Sequence, residues 1–343
     1  MKHLLNTLFV TSEDIYLTLD GENVVANRDK QEVARYPLHT LSGIVSFSYA
    51  GASPALMGAC AQRDVSLAFC TPRGRFLARV TGESSGNVLL RRAQYRAADD
   101  PGPCCRIARS MIFGKIYNAR WSIERTRRDH GLRLDAAALS AVSSQLKDLL
   151  PQIAEETSLD SLRGLEGAGA ALYFGAFDQM ILGEKPLFSF QNRNRRPPRD
   201  PVNAMLSFAY SLLTHDCASA LESVGLDAYV GFLHRDRPGR TSLALDLMEE
   251  LRPCMADRFV LTLINNRIVG KSEFEFRENG TVLLNDAGRR SFLKHWQERK
   301  REQLTHPYLQ EKLPWGLIPY VQALLLTRCL RDDLDAYPPF LWK

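Results

Sequence analysis

The feature that most constrains this chain is an abrupt change of texture at Gly82-Glu-Ser-Ser-Gly86. Before it, the short β-rich runs LLNTLFV, IYLTL, NVVA, LHTLSGIVSF, VSLAFC and RFLARV are separated by turn formers, the pattern of half-buried strands. Asp20-Gly21 lies between two of these runs and suits the positive φ of a tight hairpin. Ser53 to Arg63 has helical composition and is expected to pack on the sheet. After the break, longer segments with helical spacing are joined by Pro- and Gly-containing interruptions. Within 103–130, Ile107, Met111, Ile116, Ala119 and Ile123 share one helical face, whereas Arg109, Lys115, Arg120, Arg127 and Arg128 fall largely elsewhere. Asp200-Pro201 opens a further helix, since Asp caps free N–H groups and Pro is tolerated at the first helical position. The expectation is an α+β multidomain protein: a small β-domain over 1–82, then a larger all-α domain over 83–343. The length, 343 residues, exceeds what one core usually organises.

Hydrophobic residues at 45% and charged residues at 24% are ordinary for a globular chain. No apolar run reaches the roughly 18 residues of a membrane span. The apolar N-terminus is interrupted by Asn6, Ser12, Glu13 and Asp14, and no signal-peptide cleavage pattern follows. The seven dispersed cysteines form no CxxC pair, which disfavours structural zinc and points to buried thiols in a cytoplasmic protein. Net charge is only +5, but the positive residues are clumped, and a polyanion responds to local clumping.

Three segments carry chemistry. Glu166 stands in LRGLEGAGAALYF among apolar and small neighbours, a costly setting for an unpaired carboxylate. Glycines at 164, 167 and 169 weaken a helix by about 1 kcal/mol each relative to alanine, so close approach of a helix or a substrate backbone is expected there. An ion pair with Arg163 is the plain alternative for Glu166. His234 ends an apolar stretch at the edge of a basic loop and, taken alone, reads equally as a structural histidine. SLALDLMEELRP reads as a helix ended by Pro253, with Asp246 and Glu249 on one face and Glu250 turned away, solvated or ion-paired. Two carboxylates and an imidazole suit Mg²⁺ or Mn²⁺. Glu166, His234 and Glu249 are therefore the candidate ligands, with Asp246 orienting a ligand, binding a water or helping a transient second ion. In that scheme the glutamates supply negative oxygens, and His234 supplies a neutral nitrogen or a proton to the leaving oxygen.

Basic residues flank these segments. Arg193, Arg195, Arg196 and Arg199 lie in the Pro-stiffened loop QNRNRRPPR, and Arg235, Arg237 and Arg240 follow His234. Guanidinium forks suit phosphate oxygens, although solvated surface loops read the same way. Arg91, Arg92 and Arg96 with Tyr95 form another basic patch. Ser207 and Tyr210 carry hydroxyls but no adjacent base in sequence, and Tyr210 reads as a core or DNA-contacting aromatic.

LRGLEGAGAALYF, NRNRRPPRDPVNAMLSFAYSLL, GLDAYVGFLHRDRPGRTSLALDLMEELRP and the ending YPPFLWK together resemble the CRISPR-associated integrase family Cas-one, nearest its type I-C branch. The resemblance implies a β-sandwich-like N-terminal domain serving as a dimerisation platform, a helical catalytic domain, homodimers and a Cas-two partner. It implies a metal held by a glutamate, a histidine and an acidic residue, here matching Glu166, His234 and Glu249 beside Asp246. The third ligand is often aspartate in the family. The implied reaction joins captured foreign DNA, a prespacer duplex, to a CRISPR repeat by 3′-hydroxyl attack on a phosphodiester. A structure-selective nuclease without an integrase role and a non-catalytic DNA-binding subunit are the competing readings.

Overall fold

The computed structural model describes residues 7–71, 76–82, 88–194 and 197–343. The start of the first β-rich run, Arg75, most of the Gly82–Gly86 break, and Arg195 and Arg196 lie outside them. The chain divides into two compact units. One comprises Met1–Ser85 with Ser272–Glu275 and Leu283–Glu302; the other comprises Gly86–Lys271, Phe276–Val282 and Gln303–Lys343. A single cut between 82 and 83 therefore does not express the division, because most of the segment 272–302 goes with the first unit.

The first unit holds two sheets. A mixed sheet has the order β1 (Thr7–Val10), β5 (Gly43–Ser46), β6 (Ser66–Cys70), β7 (Phe76–Val80), and an antiparallel sheet joins β2 (Tyr16–Asp20), β3 (Asn23–Arg28) and β4 (Gln31–Pro37). Asp20 pairs with Asn23 across the hairpin, and Gly21 takes φ +56° there, as the Asp-Gly dipeptide predicts. Helix α1 (Pro54–Gln62) starts with Ser53 accepting a bond from the Leu56 N–H. Leu56 and Cys60 from α1 join Leu17, Val24, Ile44 and Leu67 in one apolar core. β4 has no hydrophobic run in the sequence because nearly all of its residues are exposed.

The second unit is helical: α2 (Val88–Asp99), α3 (Pro101–His130), α4 (Ala136–Glu155), α5 (Leu159–Gly175), α6 (Pro201–Ser223), α7 (Ser242–Leu251), α8 (Arg258–Asn265) and, later, α10 (Ile318–Leu330). β10 (Gln303–Thr305) pairs with β11 (Lys312–Pro314), a small ladder in an otherwise helical unit. Between α8 and β10 the chain forms a short ladder of β8 (Phe274–Phe276) with β9 (Val282–Leu284) and then α9 (Asp286–Arg301), residues that belong mostly to the first unit. Asp200 caps α6 by accepting from the Asn203 N–H. Helix α3, 30 residues long, packs against α4, α5 and α7, so it is the axis of this unit.

Pro253 does not end the helix that begins at Ser242. The chain widens into a π-helical turn over Arg252–Asp257 and continues as α8. Proline has no N–H and its ring crowds the carbonyl four residues back; a π turn absorbs that defect without breaking the helix direction. Among the described residues, no helix is long and apolar enough to cross a membrane. None of the seven cysteines is in a disulfide, and six are buried.

Candidate active site

Helix α7 is buried along almost its whole length, and it carries Asp246, Glu249 and Glu250 into the interior. Three buried carboxylates within five residues each need compensation, and each finds a different kind.

Asp246, with no exposure, accepts from the backbone N–H groups of Phe232 at 2.6 Å, Leu233 at 2.9 Å and His234 at 3.0 Å. Its Oδ1 also lies 2.5 Å from His234 Nδ1. A carboxylate only accepts, so Nδ1 carries the proton and the lone pair of a neutral ring belongs to Nε2. One side chain thus shapes the loop and sets the histidine tautomer. Gly231 allows it: a Cβ there would lie 2.7 Å from Asp246 Oδ2.

Glu249 pairs with Arg252 at 2.9 Å and with Lys115 Nζ at 2.6 Å. Burial alone would raise its pKa, but Arg252 and Lys115 outweigh burial and hold it down at about 2. Its Oε2 is a buried oxygen whose near partner is the Lys115 ammonium.

Glu250 is fully buried, contrary to the expectation of a solvated or ion-paired group. It accepts from Tyr337 Oη, from Gln322 Nε2 at 3.0 Å and from the Phe340 N–H at 2.8 Å. Heptad-type spacing turns it away from Glu249, but α7 has packed neighbours on that side too. Burial pushes its carboxyl up to about 7.

Glu166, on α5, does not pair with Arg163, which instead bonds the Leu233 carbonyl and Asp160. Its partner is Lys115 Nζ. Lys115 thus bridges Glu166 and Glu249 from α3, with its side chain 6% exposed. Sequence reading set Lys115 on the polar side of α3 and missed it. The available signal was the stripe Gly114, Asn118, Ser122, small and uncharged positions four apart beside it; all three are buried. Of the three glycines near Glu166, only Gly169 serves close packing, since a Cβ there would collide with Ile116 of α3. Gly164 and Gly167 face open space.

The four predicted residues therefore fall into two linked groups: Glu166 and Glu249 joined through Lys115, and His234 held by Asp246, with His234 acting electrostatically on Glu249. Among the described residues, no three carboxylate, imidazole or thiol groups are gathered closely enough to hold one metal ion. In kind, the donors suit Mg²⁺ or Mn²⁺, and Glu249 Oε2 is a buried oxygen open to a cation. The fit requires the Lys115 ammonium to withdraw.

Tyr210 lies between two guanidinium groups, with Arg252 4.7 Å and Arg193 5.1 Å from its ring centre. Its hydroxyl donates to Asp257 Oδ1 at 2.5 Å, and burial pushes its pKa far up. It is engaged as a brace beside Arg252, and its acidic neighbour Asp257 raises its pKa further rather than activating it. Arg193 also bonds the Asn194 carbonyl, Asn203 and Ser207, so Ser207 is likewise committed. Arg235 pairs with Asp160 at 3.2 Å. Arg199 and Arg237 are exposed and Arg240 is half-buried. In the other basic patch, Arg91 bonds the Gly225 carbonyl and Tyr95 donates to Asp227.

The family described as CRISPR associated protein Cas1 matches residues 8–298. The chain belongs to the Cas1 family. A relative from Rhodospirillum rubrum, named CRISPR-associated endonuclease Cas1 2, is 51% identical, and the match covers all of both chains. Two solved structures share the Cas1 fold seen here. A casposase bound to integration product superposes with TM-score 0.84 at 23% identity, covering 98% of this chain and 94% of that one. A chain of a Cas6-RT-Cas1–Cas2 complex gives TM-score 0.78 at 22% identity, covering 98% of this chain and 36% of that one.

Proposed function

We propose that this Cas1 chain is a divalent-metal-dependent DNA integrase and endonuclease that inserts foreign DNA fragments as new spacers into a CRISPR array. The observation that carries the reading is α7, which brings Asp246 and Glu249 side by side so that one fixes His234 and the other meets Glu166 through a shared cation. The relative named an endonuclease and the casposase on its product support the same chemistry. The complex of similar fold supports a Cas2 partner; the sequence stretches quoted above support a homodimer and the type I-C branch, and the dispersed cysteines support action in the cytoplasm.

Glu166, His234 and Glu249 would hold Mg²⁺ or Mn²⁺, which when bound draws negative charge from the reacting phosphate and eases ionisation of the attacking hydroxyl. The chain's own residues prepare that chemistry. Asp246 keeps the proton on His234 Nδ1, leaving Nε2 to face the reaction. Arg252 keeps Glu249 ionised. In the transfer, the 3′-oxygen of the incoming strand forms a bond to phosphorus while the target's P–O3′ bond breaks. The incoming hydroxyl loses a proton and the leaving oxygen gains one, so the number of phosphodiesters is unchanged. Arg199, Arg235, Arg237 and Arg240, with Arg193, Arg195, Arg196 and Tyr210, form the candidate DNA-contact set.

A strand-transfer assay with a prespacer duplex, a supercoiled repeat-containing target, Cas2 and Mn²⁺ tests this. Joined product is expected, and it disappears in Glu166→Ala, His234→Ala and Glu249→Ala while DNA retention persists. Nicked DNA without joined product identifies a plain nuclease, and no phosphodiester chemistry at all a binding subunit. Arg237→Ala is expected to lower DNA affinity and reduce the slope of log K against log salt by about 1; an unchanged slope assigns that loop to solvent.

A further inference from the structure

We propose that Lys115 is the resident cation of the metal-free site, holding Glu166 and Glu249 together until a divalent ion displaces its ammonium. The inference rests on the metal-site reading above and adds a residue and an exchange to it. Lys115 reaches both glutamates from a third helix, α3, and is almost wholly buried. Without those carboxylates the ammonium would be an uncompensated buried charge, whereas Glu249 also has Arg252 and the Glu166 side chain is 27% exposed. Lys115 and Arg252 together balance Glu166 and Glu249. A divalent ion added to that balanced set would stand beside the ammonium and be repelled by it. Only the exchange of Lys115 for the ion keeps the site close to neutral.

Two further observations agree. Apart from the Lys115 ammonium at 2.6 Å, the buried Glu249 Oε2 has no hydrogen-bond partner. The displaced side chain also borders a cleft. A narrow cleft with room for about one water is lined by Lys115, Gly169, Tyr173, Arg252 and Asp257. The Asp257 carboxyl on its wall offers the ammonium another acceptor.

The test is Mn²⁺ binding to the full-length protein without DNA, by calorimetry and by the electron paramagnetic resonance of free Mn²⁺, together with melting in EDTA and in Mn²⁺. Lys115→Met removes the charge at similar length. It is expected to melt lower than wild type in EDTA, to gain a larger melting shift from Mn²⁺, and to bind Mn²⁺ at least tenfold more tightly. Equal or weaker Mn²⁺ binding by Lys115→Met overturns the inference.

If that variant does not fold, wild type supplies the readout. Amine acetylation at Lys115, followed by mass spectrometry, is expected to be slow in EDTA and faster in Mn²⁺, and no acceleration overturns the inference. Glu166→Gln and Glu249→Gln separate the two claims. Mn²⁺ affinity that survives both substitutions removes the metal site itself, and the lysine exchange with it. Affinity lost in both but unaltered in Lys115→Met removes only the exchange.

Discussion

A carboxylate without solvent exposure that serves three backbone N–H groups and an imidazole cannot be shortened cheaply. Asp246→Ala leaves those donors buried and unpaired, at about 1–3 kcal/mol each before relaxation. We expect a stability loss of about 3 kcal/mol or more by urea denaturation, and strand transfer lowered by roughly 10–100-fold, the usual scale for losing a partner that orients a ligand. A drop in activity without a drop in stability would separate Asp246 from the loop it is argued to hold. Asp246 and Glu249 were legible in the sequence because a three-residue separation places two acids on one helical face. Glu166 was legible because its neighbours are apolar. Lys115 was not: a lysine among arginines on an amphipathic pattern looks solvated, and only the third helix at the site reveals its partners. Glu250 was misread for a related reason, since α7 has no solvent face for it to occupy.

Helix α5 separates two uses of glycine that its sequence runs together. Gly169 sits where α3 and α5 touch, so Gly169→Ala is expected to push the helices apart, lower stability by about 1–3 kcal/mol and disturb the Glu166–Lys115 pair three residues away. Gly164→Ala and Gly167→Ala meet no protein atom and should raise helix stability by up to about 1 kcal/mol. Thermal melts of the three variants check both signs; a stabilising Gly169→Ala would contradict the packing. The caps at Ser53 and Asp200 and the hairpin at Gly21 followed from local chemistry and could be read directly. β4 and the π turn at Pro253 could not. An exposed edge strand carries no apolar alternation, and whether a proline stops a helix or widens it depends on what packs around the defect.

The second unit is tied through its interior by a polar chain that runs well beyond the site. His306, fully buried, accepts at Nδ1 from the Tyr308 and Leu309 N–H groups and donates from Nε2 to Gln322 Oε1. Gln322 in turn donates to Glu250, Tyr337 Oη and the Pro338 carbonyl. Burial holds the His306 pKa below its ordinary 6.5. The folded protein therefore binds fewer protons there than the unfolded chain, so the contribution is present above pH 6.5 and lost as pH falls below it. Denaturation at pH 8 and pH 5 should show a steeper loss in wild type than in His306→Gln; parallel losses would exclude His306 as the source. Tyr337→Phe, which removes one donor to Glu250, is expected to cost about 1–3 kcal/mol, read by the same denaturation.

Asn118 on α3 closes the same network by donating to the Glu250 and Phe340 carbonyls and accepting from the Trp342 N–H. Glu250 thus waits for a partner 90 residues further along the chain. At a synthesis rate of about 5–20 residues per second, that wait lasts roughly 5–20 s. Until residues 337–342 are made, the acid beside Glu249 lacks the Tyr337 hydroxyl and the Phe340 N–H. The final setting of α7 is therefore a late, long-range event in folding, completed by a stretch 90 residues further along the chain.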